Sequence, residues 1–299
     1  MTPAEDGLGE LEIARIDCGE VRLECRLAGP RDAALVVLLH GFPESWISWR
    51  HQIAALAPRF RVVAPNLRGY GESDRPRGVE AYRLRRLVGD VRGLVRALGR
   101  ERAHIVGHDW GGGIAWALAI EQGDVCERLA VLNCPHPAVF RRALQTNPRQ
   151  MLRSWYILFF QLPWLPEHLL AAGDLRALDR AFSRIVRSNG AVAVPPDVLE
   201  QMKAALRPPG AIEAALHYYR AAFRYAGDLR ELDRPIRCPT LLIWGERDFA
   251  LGRELTVGME ALFAGPFRRE YVPDAGHWVQ QEAPLEVNRA LLGFLAGEV

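Results

Sequence analysis

Along this chain, short uninterrupted apolar runs alternate with longer segments whose apolar positions recur every three or four residues. Residues 11–16 and 21–27 instead alternate in steps of two around a Cys18-Gly19-Glu20 break, which predicts an antiparallel hairpin at a sheet edge. From residue 34 the runs 34–39, 61–64, 104–106, 128–132, 240–244 and 269–272 are continuous, as expected of strands buried on both faces. Segments 47–56 and 84–98 have helical length and period and fall between them. The alternation stops between about 135 and 235, a stretch of helix-like segments rich in proline and aromatics with no convincing strand. The expected architecture is α/β: a mostly parallel central sheet flanked by helices, with core residues 1–134 and 237–299 and an inserted helical cap at 135–236. Ligands of open α/β sheets lie beyond the carboxyl ends of the strands, so a cap inserted there would roof the site.

Composition narrows the classes. A chain of 299 residues with 49% hydrophobic content can bury a large core. The net charge of +2 is spread among interspersed acids and bases, so no nucleic-acid partner and no membrane insertion are expected. The cysteines Cys18, Cys25, Cys126, Cys134 and Cys238 are odd in number and lack C-x-x-C spacing, which predicts neither a disulfide framework nor a metal site. Nothing calls for a cofactor. The opening residues carry acid rather than a basic, apolar leader. A reducing, cytoplasmic setting follows as the expectation; oligomeric state is not legible.

The most informative segment is Gly107-His108-Asp109-Trp110-Gly111-Gly112, flanked by the apolar run 103–106 and the apolar helical run 114–120. Strand, glycine-flanked turn and helix are the setting of the G-x-S-x-G nucleophile elbow, with aspartate where serine is usual. Asp109 could merely cap the helix. As a nucleophile it has a distinct use: a serine that opened an alkyl electrophile would end as a stable ether, whereas an aspartate ends as an ester that water can cleave. A carboxylate with an ordinary pKa of about 3.9 also needs no base for its first step.

Cleaving that ester requires an activated water. His277, in Pro273-Asp274-Ala275-Gly276-His277-Trp278, follows the last predicted strand and supplies the base. Asp248 in Gly245-Glu246-Arg247-Asp248 supplies the acid that orients it, favoured over Glu246 and Asp274 by chain order and loop position. His40-Gly41-Phe42-Pro43 follows the first parallel strand, so the backbone N–H groups of Phe42 and Trp110 are the expected oxyanion donors. Phe42-Pro43 is a candidate cis bond in a tight turn. Trp46, Phe42 and Trp110 are assigned to the walls of an apolar pocket. His108 and His136 lack partners at metal-ligand spacing and are taken as structural.

Five segments, His40-Gly41-Phe42-Pro43-Glu44-Ser45-Trp46, Arg68-Gly69-Tyr70-Gly71-Glu72-Ser73, the Asp109 elbow, Gly245-Glu246-Arg247-Asp248 and Gly276-His277-Trp278-Val279-Gln280, resemble the epoxide hydrolases of the α/β-hydrolase superfamily, in particular the soluble epoxide hydrolase catalytic domain and its bacterial relatives. The resemblance runs from about residue 20 to the C-terminus. It implies a small apolar epoxide and water as substrates, and two cap tyrosines that protonate the epoxide oxygen. Tyr156 lies in the segment resembling the first; Tyr219 matches the second, with Tyr218 beside it as the other candidate to face the site. A haloalkane dehalogenase shares the Asp-His-acid set, but commonly has asparagine where Phe42 stands. Some dehalogenases place the acid after the strand preceding the cap, where this chain has Asn133 and Cys134. A ligand-binding protein without catalysis would have been free to lose a triad member.

Overall fold

In a computed structural model, which describes residues 8–183, 185–187, 190–230, 232 and 234–298, eight strands form one sheet. The strands are β1 (Glu12–Asp17), β2 (Arg22–Ala28), β3 (Leu35–Leu39), β4 (Arg61–Pro65), β5 (Ala103–His108), β6 (Cys126–Leu132), β7 (Thr240–Gly245) and β8 (Phe267–Val272). They lie in the order β1-β2-β4-β3-β5-β6-β7-β8. The first two form the expected antiparallel hairpin, β2 pairs antiparallel with β4, and the remaining pairs are parallel. The opening residues 1–7 lie outside the described residues.

Among the described residues, twelve α-helices accompany the sheet: α1 (Arg50–Leu56), α2 (Leu84–Ala97), α3 (Trp110–Glu121), α4 (Pro137–Thr146), α5 (Pro148–Arg153), α6 (Trp155–Phe159), α7 (Leu165–Phe182), α8 (Pro196–Leu206), α9 (Ala211–Arg224), α10 (Gly227–Arg230), α11 (Val279–Glu282) and α12 (Pro284–Leu295). The helix expected at 47–56 begins instead as a 3-10 turn, Trp46–Trp49, before α1.

Every residue of β3, β5 and β7 is buried, which is why these strands read as unbroken apolar runs. Alternate residues serve opposite cores: Val37 and Leu39 pack with Ile105, Val131 and the apolar faces of α2 and α3, whereas Val36 and Leu38 pack with Val106, Leu132, Ile53 of α1 and Leu291 of α12. On α2 the buried positions Leu87, Val88, Val91, Leu94 and Val95 make a single stripe. On α3 every residue from Ile114 to Ile120 is buried, so no polar face remains.

Between β6 and β7 run α4 to α10, with no strand among the described residues beyond isolated bridges of Val186 to Val192 and of Ile236 to Phe263. Asn147 caps α5 by accepting from the Arg149 and Gln150 N–H groups. The long α7 breaks at residues 172–175, where Gly173, Asp174 and Leu175 take left-handed angles. This helical stretch is tied to the sheet side by polar anchors. The Tyr218 hydroxyl donates to the Arg68 carbonyl at 2.8 Å, and the Gly71 N–H donates to the Ala205 carbonyl at 2.9 Å. Arg68 itself is buried against Asp90 of α2, its Nε donating at 2.6 Å.

Candidate active site

Parallel strands deliver the chemical groups to one edge of the sheet. Phe42 follows β3, Asp109 follows β5, Asn133 follows β6, Asp248 follows β7 and His277 follows β8. Asp109 sits in the turn between β5 and α3 with φ 50° and ψ −119°, a conformation costly for any residue but glycine. The turn holds because its neighbours lack side chains: a Cβ on Gly41 would lie 2.4 Å from the Asp109 Cβ, and one on Gly111 would lie 2.0 Å from the Leu39 carbonyl oxygen.

Asp109 is fixed from two sides. Its Oδ1 accepts from the Phe42 N–H at 2.8 Å, and its Oδ2 lies 3.7 Å from His277 Nε2. Trp110 is the first residue of α3, where a backbone N–H has no acceptor within the helix. The Phe42-Pro43 bond is cis.

The other nitrogen of His277, Nδ1, is 2.8 Å from Asp248 Oδ2. The buried Asp248 carboxylate accepts three more hydrogen bonds, each at 2.8 Å: Asn133 Nδ2 donates to Oδ2, and the Ala250 and Leu251 N–H groups donate to Oδ1. Burial works against the charge on Asp248, but His277, Asn133 and the Leu251 N–H outweigh it and hold the pKa below the usual carboxylate value. The same contest ends the same way at Asp109, where burial is overcome by His277 and the Phe42 N–H. Burial should likewise strip His277 of its proton, yet Asp248 and Asp109 together raise its pKa well above the imidazole value. His277 thus lies between two carboxylates, 2.8 Å from Asp248 and 3.7 Å from Asp109.

Aromatic rings cover the approach to Asp109. Tyr219 makes edge contacts with Trp110 (4.9 Å between centroids), Phe42 (5.5 Å), Phe160 (4.9 Å) and Tyr156 (6.0 Å). Tyr218, the neighbour left open by the sequence, spends its hydroxyl on Arg68 and packs its ring against Tyr70 and Tyr82. Burial, aided by the Asp109 charge, pushes the Tyr156 and Tyr219 phenols upward, so both keep their protons at neutral pH. Trp46 stands apart: the Arg26 guanidinium lies 4.9 Å from its ring centroid, its backbone N–H donates to Asn66, and among the described residues it makes no ring contact with this cluster.

Sequence reasoning missed a second layer. Glu44, fully buried, accepts from Gln280 (3.1 Å) and Gln281 (2.9 Å) through Oε1, and from the Gly41 N–H (3.2 Å) through Oε2, which also lies 2.7 Å from His108 Nδ1. His108 Nε2 is 2.8 Å from the His277 carbonyl and must donate, because a carbonyl only accepts. Burial opposes the Glu44 charge, but His108 keeps its pKa low. His108 thus links the turn after β3 to the loop carrying His277. Asn133 is the other omission: besides holding Asp248, its Oδ1 accepts from the Gly245 N–H at 2.8 Å. Both residues lay inside or beside quoted motifs, but partners 236 and 115 positions away cannot be read from spacing. His136 caps α4, accepting from the Ala138 N–H. Among the described residues no three His, Cys, Asp or Glu side chains gather as a metal site, and no helix is long and apolar enough to cross a membrane.

The α/β-hydrolase fold family model matches residues 34–284. Epoxide hydrolase 3 of Xenopus tropicalis is 36% identical over 289 residues, covering 96% of this chain and 78% of its own length. Human epoxide hydrolase 4 is 36% identical, covering 99% of this chain and 81% of its own. Among solved structures, the Bacillus megaterium epoxide hydrolase in complex with an inhibitor superposes with a TM-score of 0.86 at 29% identity, covering 95% of this chain and all of that one. An aspartate on the nucleophile elbow, a histidine and acid aimed at it, and relatives of this kind along nearly the whole length place the chain in the α/β-hydrolase family, among its epoxide hydrolases.

Proposed function

We propose that this site converts an epoxide and water into a vicinal diol through an ester on Asp109, beneath a cap formed by α4 to α10. The observation that carries the reading is the division of labour around one carboxylate: Oδ1 is held by the Phe42 N–H while Oδ2 faces His277. Two phenols lie in the ring cluster beside it.

Oδ2 attacks one oxirane carbon, the C–O bond on the far side breaks, and the departing oxygen takes a proton from Tyr156 or Tyr219. The product is a hydroxyalkyl ester. Esterification removes the Asp109 charge, and with it one of the two carboxylates that keep His277 protonated. His277 then releases its proton more readily. This proton can return, through water, to the tyrosinate. Neutral His277, oriented by Asp248, deprotonates a water that attacks the ester carbon. The tetrahedral oxyanion develops on Oδ1, which the Phe42 N–H already holds, and the Trp110 N–H, with no acceptor inside α3, serves as the second donor. On collapse the ester C–O bond breaks, the departing alkoxide takes the second water proton from the new carboxyl group, and the diol leaves with one water oxygen retained in the Asp109 carboxylate. A departing halide would gain nothing from a phenolic proton, so the phenols favour the epoxide over the alkyl halide.

The test is the intact mass of His277→Ala after separate exposure to styrene oxide and 1,2-dibromoethane, with Asp109→Ala as control. The expected result is an adduct equal to the whole epoxide, on Asp109 only. An adduct from the halide alone, lighter by HBr than the reagent, would move the activity to dehalogenation. An adduct that persists in Asp109→Ala would remove the nucleophile from its place.

A further inference from the structure

The helix that carries Tyr156 turns its opposite side to solvent, and that side is apolar. Gln150, Ser154 and Phe160 are buried and pin the segment inward, while Met151, Leu152, Trp155, Leu158, Leu162 and Trp164 stand 45 to 75% exposed. Exposed single apolar residues are ordinary; six within positions 151–164 form a patch. The charge of the same stretch is one-sided. Residues 137–166 contain Arg141, Arg142, Arg149 and Arg153 and no acid. The acid beside Arg153 is Glu254 from another loop, 4.0 Å away.

We propose that this face docks on an anionic lipid surface, with the apolar side chains of α5 and α6 immersed among the headgroups and the arginines on lipid phosphates. Tryptophan and leucine beside arginine is the composition of an interfacial segment, and the even charge balance of the whole chain conceals it. A second copy of the chain is the poorer occupant. A two-fold contact would bring Arg142 and Arg149 of one copy toward those of the other, with no acid from residues 137–166 of either. The patch also adjoins the candidate site. Gln150 donates to the Ala250 carbonyl at 2.8 Å and accepts from the Gly252 N–H at 3.1 Å, which binds α5 to the loop after β7. On that loop Phe249 stands 64% exposed with its ring centroid 6.0 Å from that of His277. An apolar side chain therefore lies on the way from the patch to the base. Given the epoxide reading, on which this consequence alone rests, the membrane would supply lipophilic epoxides already dissolved in it.

Docking is tested without substrate, so its failure is distinct from failure of the hydrolase reading. The full chain is sedimented with phosphatidylcholine vesicles holding about 30 mol % phosphatidylserine and with pure phosphatidylcholine vesicles. Three forms are compared: native, Leu152→Ser/Leu158→Ser and Arg142→Glu/Arg149→Glu, each shown by circular dichroism to be folded. The expected result is binding to the anionic vesicles with a blue-shifted tryptophan emission. Binding should weaken by roughly tenfold or more in either double variant, and in the native chain at about 0.5 M salt. Equal binding by native and variant chains, or no binding to either vesicle, overturns the proposal. A dimer in sedimentation velocity that the variants dissolve, without vesicle binding, assigns the face to a second copy instead.

Discussion

Replacing Asp248 by asparagine tests the catalytic geometry at one atom. Asp248 Oδ1 accepts from two backbone N–H groups, so the amide oxygen of the replacement must stay there and its NH2 must take the place of Oδ2. That NH2 would face two donors, Asn133 Nδ2 and His277 Nδ1, each 2.8 Å from the present oxygen. Asn133 cannot turn over to relieve the conflict, because its own oxygen is held by the Gly245 N–H. Only His277 can, by moving its proton from Nδ1 to Nε2, the nitrogen that must take a proton from water. The wrong tautomer costs a histidine base about three to four powers of ten in rate, or about 4 to 5.4 kcal/mol of barrier. Attack by Asp109 needs no base, so ring opening should slow by less than about tenfold. Stopped mixing with styrene oxide, followed by intact mass, should show the ester accumulate while steady-state diol formation falls. Turnover within about tenfold of native, or a folded variant that loses activity without storing ester, would refute the reasoning.

Asn133→Ala should destabilise the fold by about 3 to 5 kcal/mol in denaturant melts, since it strands the Gly245 N–H, removes a donor from a charged carboxylate and puts alanine at φ 39°; a change below about 1 kcal/mol would contradict it. Glu44→Gln turns an NH2 toward at least one existing donor, and should both lower Tm and slow ester hydrolysis more than ring opening, because His108 then holds the His277 loop less firmly; equal slowing of both steps would deny that link. Gly41→Ala should abolish ester formation through the clash with Asp109, and normal alkylation would be inconsistent with the turn. The triad also has a pH signature. The lowered pKa values of Asp109 and Asp248 give stability that is present above their ordinary range and lost as pH falls through the native values, whereas the raised pKa of His277 gives stability complete below about 6.5 and lost as pH rises through its native value. The Tm gap between native protein and His277→Gln should therefore be widest between about pH 4 and 6.5 and shrink on either side; a pH-independent gap would refute the ion pairing.

The sequence by itself determined what depends on near neighbours in the chain. Apolar runs marked the central strands β3 and β7, which are buried on both faces, whereas the edge strand β8, with Arg268, Arg269 and Glu270, is only half-buried; period-two alternation marked the β1-β2 hairpin because one face of that ribbon meets solvent. The aspartate at position 109 was legible as chemistry because strand, glycine turn and helix are contiguous. Tertiary structure decided whatever depends on residues distant in the chain. The order β4-β3-β5 is set by crossover connections that periodicity does not record. Tyr218 and Tyr219 are adjacent on α9, and the helix rotation gives the Tyr218 hydroxyl its bond to Arg68 while both rings meet Trp110. Trp46 carries the right surface for a pocket wall but is drawn to Arg26. Glu44, His108 and Asn133 looked like ordinary loop and strand-end residues. Their importance comes from burial, where a polar group must find its partners inside the fold, and those partners arrive from other strands.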